Sequence, residues 1–176
     1  MVRITPASSH DSARLATLGY QTFVDTFGKD NNEADLRAYV EQAFSEPTIR
    51  QELSDSNASF YIAYQKDDPV GYLKLRQGQV PDQLQGRRVL ELQRIYVHQH
   101  ALGQGIGARL MQTAVDYARE HHYQVLWLGV WERNPSAIAF YERWKFTKFG
   151  SHTFMIGHDA QTDWLMHRQL DTSEPD

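Results

Sequence analysis

Cysteine is absent from the 176 residues. That absence excludes disulfide staples, thiolate-bound zinc, iron–sulfur clusters and a cysteine nucleophile. A basic excess is missing too: 18 Lys and Arg stand against 22 Asp and Glu, for a formal charge of −4. Such a balance argues against a nucleic-acid binder and permits a cationic substrate. Long apolar runs are also lacking. The longest stretch without a polar side chain is Val125–Trp131, too short to span a bilayer. Met1 is followed by Val2-Arg3-Ile4-Thr5 and not by a secretory segment, so a soluble cytoplasmic protein is expected. The eight histidines are scattered or adjacent, and none of their spacings supplies a zinc ligand set; no metal site is expected. What is present is a 41% apolar chain with 8 Phe, 9 Tyr and 4 Trp. That suffices for one domain over residues 1–171 without staples, followed by a frayed tail at 172–176.

Periodicity orders the chain. Residues 2–5 read as a strand and Ser8 or Ser9 as the cap of a helix reaching Phe27. Gly28 to Asn32 interrupts it, and helices over 33–44 and 47–53 follow. Strands over 60–64 and 70–75 flank the turn residues Lys66-Asp67-Asp68-Pro69. After a polar loop, a strand over 89–97 leads to a helix over 105–122. There Ile106, Leu110, Met111, Ala114, Val115 and Ala118 recur at three and four, the α period. Val125 to Val130 is a continuous apolar run suited to a central strand. Asn134-Pro135 reads as an N-cap with proline at the first helical position, and strands over 146–149 and 163–170 close the chain. Strands bracket helices throughout, which makes the fold class mixed α/β (α+β).

The sharpest local signal is Val97-His98-Gln99-His100-Ala101-Leu102-Gly103-Gln104-Gly105-Ile106-Gly107-Ala108. A strand enters a turn with glycines at alternate positions, and an amphipathic helix leaves it. Such a turn exposes successive amides at a helix N-terminus, where the dipole also favours an anion such as phosphate. A plain connector before an ordinary helix explains the same residues. The Lys-Ser/Thr ending of a Walker A loop is missing, and Asp116 stands too near to serve a dinucleotide fold.

The stretch Leu102-Gly103-Gln104-Gly105-Ile106-Gly107 resembles the acyl-coenzyme A signature of the GCN5-related N-acetyltransferases (GNAT), with Leu102 in place of the usual Arg or Gln. Downstream, Trp127-Leu128-Gly129-Val130-Trp131 through Asn134 and Tyr141 to Lys145-Phe146 resembles the family's strand, asparagine and tyrosine-bearing helix, with Lys145 in place of the usual glycine. Thr22 to Phe27, Ala38 to Phe44, Leu128 to Glu132 and Gly157 to Asp163 are further similar to the PaiA-type spermine/spermidine acetyltransferases. The resemblance covers nearly the whole chain. It implies an acyl-CoA N-acyltransferase fold, a central mixed and mainly antiparallel sheet flanked by helices on both faces. It also implies acetyl-CoA as cosubstrate, a small-molecule amine as partner and allowance for a homodimer.

By resemblance, Ile95, Tyr96 and Val97 offer backbone to the pantetheine arm, while Leu102, Gly103, Gln104, Gly105, Ile106, Gly107 and Ala108 carry the phosphates. Asn134, Ser136 and Phe140 are further cofactor contacts, and Tyr141 protonates the leaving thiolate. Helical spacing alone reads Tyr141 as a core residue beside Phe140 and Trp144, and Asn134 as a cap only. Strand alternation puts Glu91, Gln93, Ile95 and Val97 on one face, which makes Glu91 the candidate general base, against loss of the proton to solvent. Gln93 cannot act as a base. Asp25, Asp30, Glu33 and Asp35 lie where the family covers its acceptor groove and suit a polyamine's ammonium groups, or form an ordinary acidic surface. The leading expectation is transfer to spermidine or spermine within a ternary complex, since no thiol exists to carry the acetyl group. The alternatives are a same-fold enzyme for a peptide amino terminus or another small amine, and a non-catalytic acyl-CoA-binding regulator.

Overall fold

The computed structural model describes residues 1–170; the tail expected over 172–176 lies outside them. Seven strands, β1 (Val2–Pro6), β2 (Ala58–Gln65), β3 (Asp68–Arg76), β4 (Val89–Val97), β5 (Val125–Trp131), β6 (Thr147–Ile156) and β7 (Asp159–Gln169), form one sheet in the order β1-β2-β3-β4-β5-β7-β6. Every neighbouring pair is antiparallel except β4 and β5. Helices α1 (Ser12–Phe27), α2 (Glu33–Ala43) and α3 (Glu46–Ser54) precede β2; α4 (Ile106–Glu120) and α5 (Pro135–Arg143) follow β4 and β5. This is the mixed, mainly antiparallel sheet flanked by helices that the resemblance implies.

Two clusters sandwich the sheet. On one face the α4 stripe of Leu110, Met111, Ala114, Val115 and Ala118 packs on Leu73, Leu90, Leu92, Leu126 and Leu128. Complete enclosure of a Leu or Met contributes about 1.5–3 kcal/mol before any cavity term. On the other face, Leu15, Leu18, Phe23, Val40, Phe44 and Ile49 of the first three helices cover Phe60, Ile62 and Tyr72. The helix starts follow their local chemistry. Asn32 Oδ1 accepts from the amides of Ala34 and Asp35 at 2.9 and 3.2 Å, and Asn134 Oδ1 accepts from Ala137 at 3.2 Å. Asp11 accepts from the Ser8 amide at 2.9 Å, so the chain turns helical after Ser8, first as a short 3-10 segment at Ser9–Asp11.

The helix layer is tied to the sheet by charge. Glu52 of α3 takes a two-pronged contact from Arg94 of β4 at 2.7 and 3.0 Å and Lys74 Nζ of β3 at 3.0 Å. Burial pulls the Lys74 ammonium down to about 8, with Arg94 adding repulsion and Glu52 opposing both.

Two departures from the expected pattern matter for function. β6 has 10 residues where only 146–149 was expected, and β7, expected over 163–170, already begins at Asp159. Most of β6 is exposed or half-buried, so it carries no apolar alternation to read, and a turn at Gly157 (φ +58°) joins it to β7. The second departure is a bulge in β4. Lys74 pairs with Arg94 but Leu75 pairs with Leu92, which leaves Gln93 as the extra residue. Beyond it, Ile95 and Val97 join Leu90 and Leu92 on the α4 side. Glu91 falls on the opposite face from Ile95 and Val97, so the single face expected from strict alternation does not form.

Candidate active site

The site begins where the sheet parts. β4 and β5 are in register only at Val89–Val125, Leu90–Leu126 and Glu91–Trp127. Past Glu91, β4 keeps β3 on one edge, and β5 keeps β7 on one edge. The facing edges diverge, and a cleft of about 540 Å³ opens between them. Alternate backbone groups of β4 therefore lack a strand partner and are open to an extended amide-bearing chain.

Ile95, Tyr96, Val97, Leu102, Asn134, Ser136, Phe140 and Tyr141 all line this cleft. Gly103, Gln104, Gly105, Ile106, Gly107 and Ala108 stand beside it as the turn and first turn of α4. A Cβ on Gly107 would lie 3.8 Å from the Phe140 ring and 3.9 Å from Val97 Cγ2, both cleft residues. Among the described residues no side-chain cap is made at the α4 N-terminus, whose cap position is Gly105, so its first amides are left to face outward under the positive end of the dipole. Gln104 does not compete for them. Its side chain donates to the His100 carbonyl at 3.2 Å and accepts from Gln65 at 2.7 Å.

Gly103 and Gly105 both sit at φ +75° with open space where a Cβ would be. Backbone conformation alone, not crowding, demands glycine there. Gly105→Ala is expected to cost about 1–2 kcal/mol, and Gly105→Asn less, in urea unfolding. Equal losses from both would mean that the turn relaxes.

Tyr141 enters from α5 with its ring edge-on to Phe140 and Phe146. Burial raises its phenol above the usual value, which keeps it a proton donor through neutral and alkaline pH. Phe23, Phe27, Tyr39, Phe44, Trp131 and Phe154 make an aromatic wall in the same cleft. Of the four expected acceptor acids, only Asp25 lines it, 3.7 Å from His98 Nδ1. Asp30 borders a separate pocket of about 90 Å³. Glu33 lies in the first turn of α2, where a carboxylate complements the dipole. Asp35 is packed under the β6–β7 turn, its Oδ1 2.6 Å from where a Gly157 Cβ would stand. The convergence of four acids on one groove is thus corrected to one.

Glu91 needs correction as well. It is buried and its Oε2 accepts from Arg76 Nε at 2.7 Å, outside the cleft lining; the Gln93 bulge sends it to the wrong side. Residues that sequence reasoning missed take its place along the cleft: Gln93, Arg94, Gly129 and Asp163. Gln93 Oε1 is buried without a hydrogen-bond partner among the described residues. Burial pushes the Asp163 carboxyl up to about 6, with His152 opposing. A glutamine at a bulge and an aspartate opposite a histidine carry no local sequence signature; only the pairing register reveals them.

These features fit an acyl-coenzyme A. The free β4 edge and the orphan Gln93 oxygen match an arm bearing amides, and the uncapped α4 amides match its phosphates. Comparison with known proteins agrees. The model of the acetyltransferase (GNAT) family matches residues 20–146. The chain is 34% identical over 169 residues, 96% of its own length and 98% of the relative's, to an uncharacterized N-acetyltransferase from the pepI 3′ region of Lactobacillus delbrueckii subsp. lactis. It is 27% identical to streptothricin acetyltransferase A of Bacillus subtilis, over 71% of this chain and 69% of that one. Its fold is similar to that of the PaiA N-acetyltransferase of Thermoplasma acidophilum solved with coenzyme A, at TM-score 0.76, 17% identity and coverage of 96% and 99%. With the parted strands, the glycine turn and a whole-length relative in agreement, this chain belongs to the GNAT family of N-acetyltransferases.

Proposed function

We propose that the protein is an acetyl-CoA-dependent amine N-acetyltransferase whose acceptor is a slender cationic amine, spermidine or spermine first among them. The observation that carries this reading is one cleft in which Tyr141 and the free β4 edge share space with an aromatic wall and the carboxylate of Asp25. Aromatic faces attract ammonium groups, by about 0.5–2 kcal/mol each, and their bodies suit the methylene segments between charges. Asp25 supports a distal ammonium by charge.

The coenzyme supplies the activated acetyl group as a thioester. The chain's part is positioning and proton handling. The amides of Gly105 to Ala108 hold the phosphates, the edge of β4 from Gln93 to Val97 aligns the arm, and Asn134 and Ser136 border it. Alignment of this kind lowers the barrier by converting a bimolecular step into one within a complex. Tyr141 gives its proton to the departing sulfur.

A panel of amines tests the reading, with free thiol as the readout. Polyamines are expected to give the highest kcat/KM. The similarity to streptothricin acetyltransferase A supports a second reading, so streptothricin belongs in the panel beside a peptide amino terminus and an amino sugar. A clear win for any of these replaces the acceptor while leaving the reaction type in place.

A further inference from the structure

Asp163 lines a part of the cleft that the steps above leave unused, and His152 stands beside it. They stand directly opposite in the β6–β7 register, with His152 Nε2 3.8 Å from Asp163 Oδ2. Small rotation about the terminal torsion of Asp163, which is soft, brings the two within hydrogen-bond reach. Gly129 of β5 leaves room for both. A Cβ there would lie 3.4 Å from Asp163 Oδ2 and 3.4 Å from His152 Cε1. Asp163 lines the cleft and its side chain is 15% exposed, whereas that of His152 is 44% exposed. The pair thus runs from the cleft wall toward solvent.

Building on the amine-acetyltransferase reading, we propose that Asp163 is the base that takes a proton from the acceptor ammonium, and that His152 passes it to solvent. The proton balance calls for such a route. An acceptor arrives as R–NH3⁺ and leaves as R–NH–CO–CH3, so its nitrogen loses two protons while the N–C bond forms and the C–S bond breaks. One proton's worth ends on the coenzyme sulfur, through Tyr141. The other must leave the cleft. Glu91 is paired with Arg76 away from the cleft, and Gln93 has no basic oxygen. Two carboxylates of the cleft adjoin a histidine, Asp25 beside His98 and Asp163 beside His152. Asp163 is the more enclosed of the two, 15% against 32% exposed at the side chain, and its histidine is the more exposed.

The groups facing Asp163 allow the role. His152 approaches from β6 and Tyr39 from α2, whose phenol feels the Asp163 charge. From β5 come Gly129 and Trp131, neither titratable. Arg94 of β4, Asp25 of α1 and Tyr141 of α5 line the same cleft, and Arg94 is engaged with Glu52. Burial, only partly offset by His152, holds the Asp163 carboxyl near 6. The group is ionised at neutral pH and a stronger base than an exposed aspartate.

Asp163→Asn and His152→Gln, assayed from pH 5 to 9 with the best acceptor, test the proposal. Asp163→Asn is expected to lower kcat about 100-fold and to remove the limb of the wild-type profile near pH 6, with coenzyme affinity within twofold of wild type. His152→Gln is expected to lower kcat several-fold and move that limb to higher pH, because His152 lowers the Asp163 value. Added imidazole should restore part of the rate. A raised KM with unchanged kcat and limb in Asp163→Asn would make Asp163 a binding residue only and overturn the proposal. Wild-type inactivity across the amine panel overturns the underlying reading together with this one; an active wild type with an unaffected Asp163→Asn overturns this one alone.

Discussion

Tyr141→Phe is expected to lower kcat by about 10²–10⁴-fold while coenzyme binding stays within twofold of wild type. The hydroxyl is the only group removed. Edge-on contacts of the ring with Phe140 and Phe146 survive in phenylalanine, so the melting temperature should hold. The pH profile discriminates the acid role from packing. A free thiol has a pKa near ~8.5, and above it the sulfur departs with less need of a proton. The deficit of the variant should therefore narrow as the pH rises past that value. Burial keeps the wild-type phenol protonated beyond its usual range, so the wild type should show no matching alkaline loss from this group. A full-rate Tyr141→Phe would assign thiolate protonation to solvent.

Glu52→Gln is expected to destabilise the fold by about 3 kcal/mol, the lower end for breaking a buried pair. The midpoint should fall by roughly 6–12 °C. Glu52 is the anion of a three-membered cluster in which Lys74 is 5% and Arg94 13% exposed at the side chain. Without it, two buried cations face each other. Burial alone would raise the Glu52 carboxyl, but the Arg94 hydrogen bond and the charges of Arg94 and Lys74 outweigh it and hold the group below its ordinary 4.5. A carboxyl lowered on folding contributes fully above its unfolded value and loses that contribution as the pH falls through the folded one. The gap between wild type and variant in urea unfolding should thus be full at pH 7 and shrink below about pH 4.5. A second effect follows from geometry. Arg94 lines the cleft, so a guanidinium released from Glu52 should repel a cationic acceptor and raise its KM. A gap that is flat down to pH 3 would mean that packing, not charge, explains the loss.

Much of the architecture was legible before any coordinate. The α4 stripe, the Asn134-Pro135 start of α5 and the buried run of β5 are periodic or capped, and such signals are local. The same holds for one part of the cleft lining, where Leu102, Asn134, Ser136, Phe140 and Tyr141 sit in contiguous motifs. Legibility failed where position depends on pairing. Alternation predicted one face for Glu91 and Ile95, and the extra Gln93 separated them. Acidic residues near the α1–α2 connection looked like one groove, yet only Asp25 reaches it, because Glu33 serves a helix start and Asp35 supports a turn. Asp163 and His152 lie 11 residues apart on a polar hairpin, where exposed β6 residues give no alternation to follow.

The bulge at Gln93 gives β4 an odd parity. Chemistry in this strand depends on register as well as on identity. Taking Gln93 into a strictly alternating ladder would leave every residue the same but turn Arg94 toward α4 and Ile95 toward Glu52, whereas deleting Gln93 would keep Arg94 opposite Lys74 and Leu92 opposite Leu75. In such a straightened strand the ion cluster would be lost and Ile95 would leave the α4 side, with no charged or polar group substituted. Strand β4 is therefore the stretch where register does what a substitution cannot, while the loop between β3 and β4, outside the ladder, tolerates changes of length.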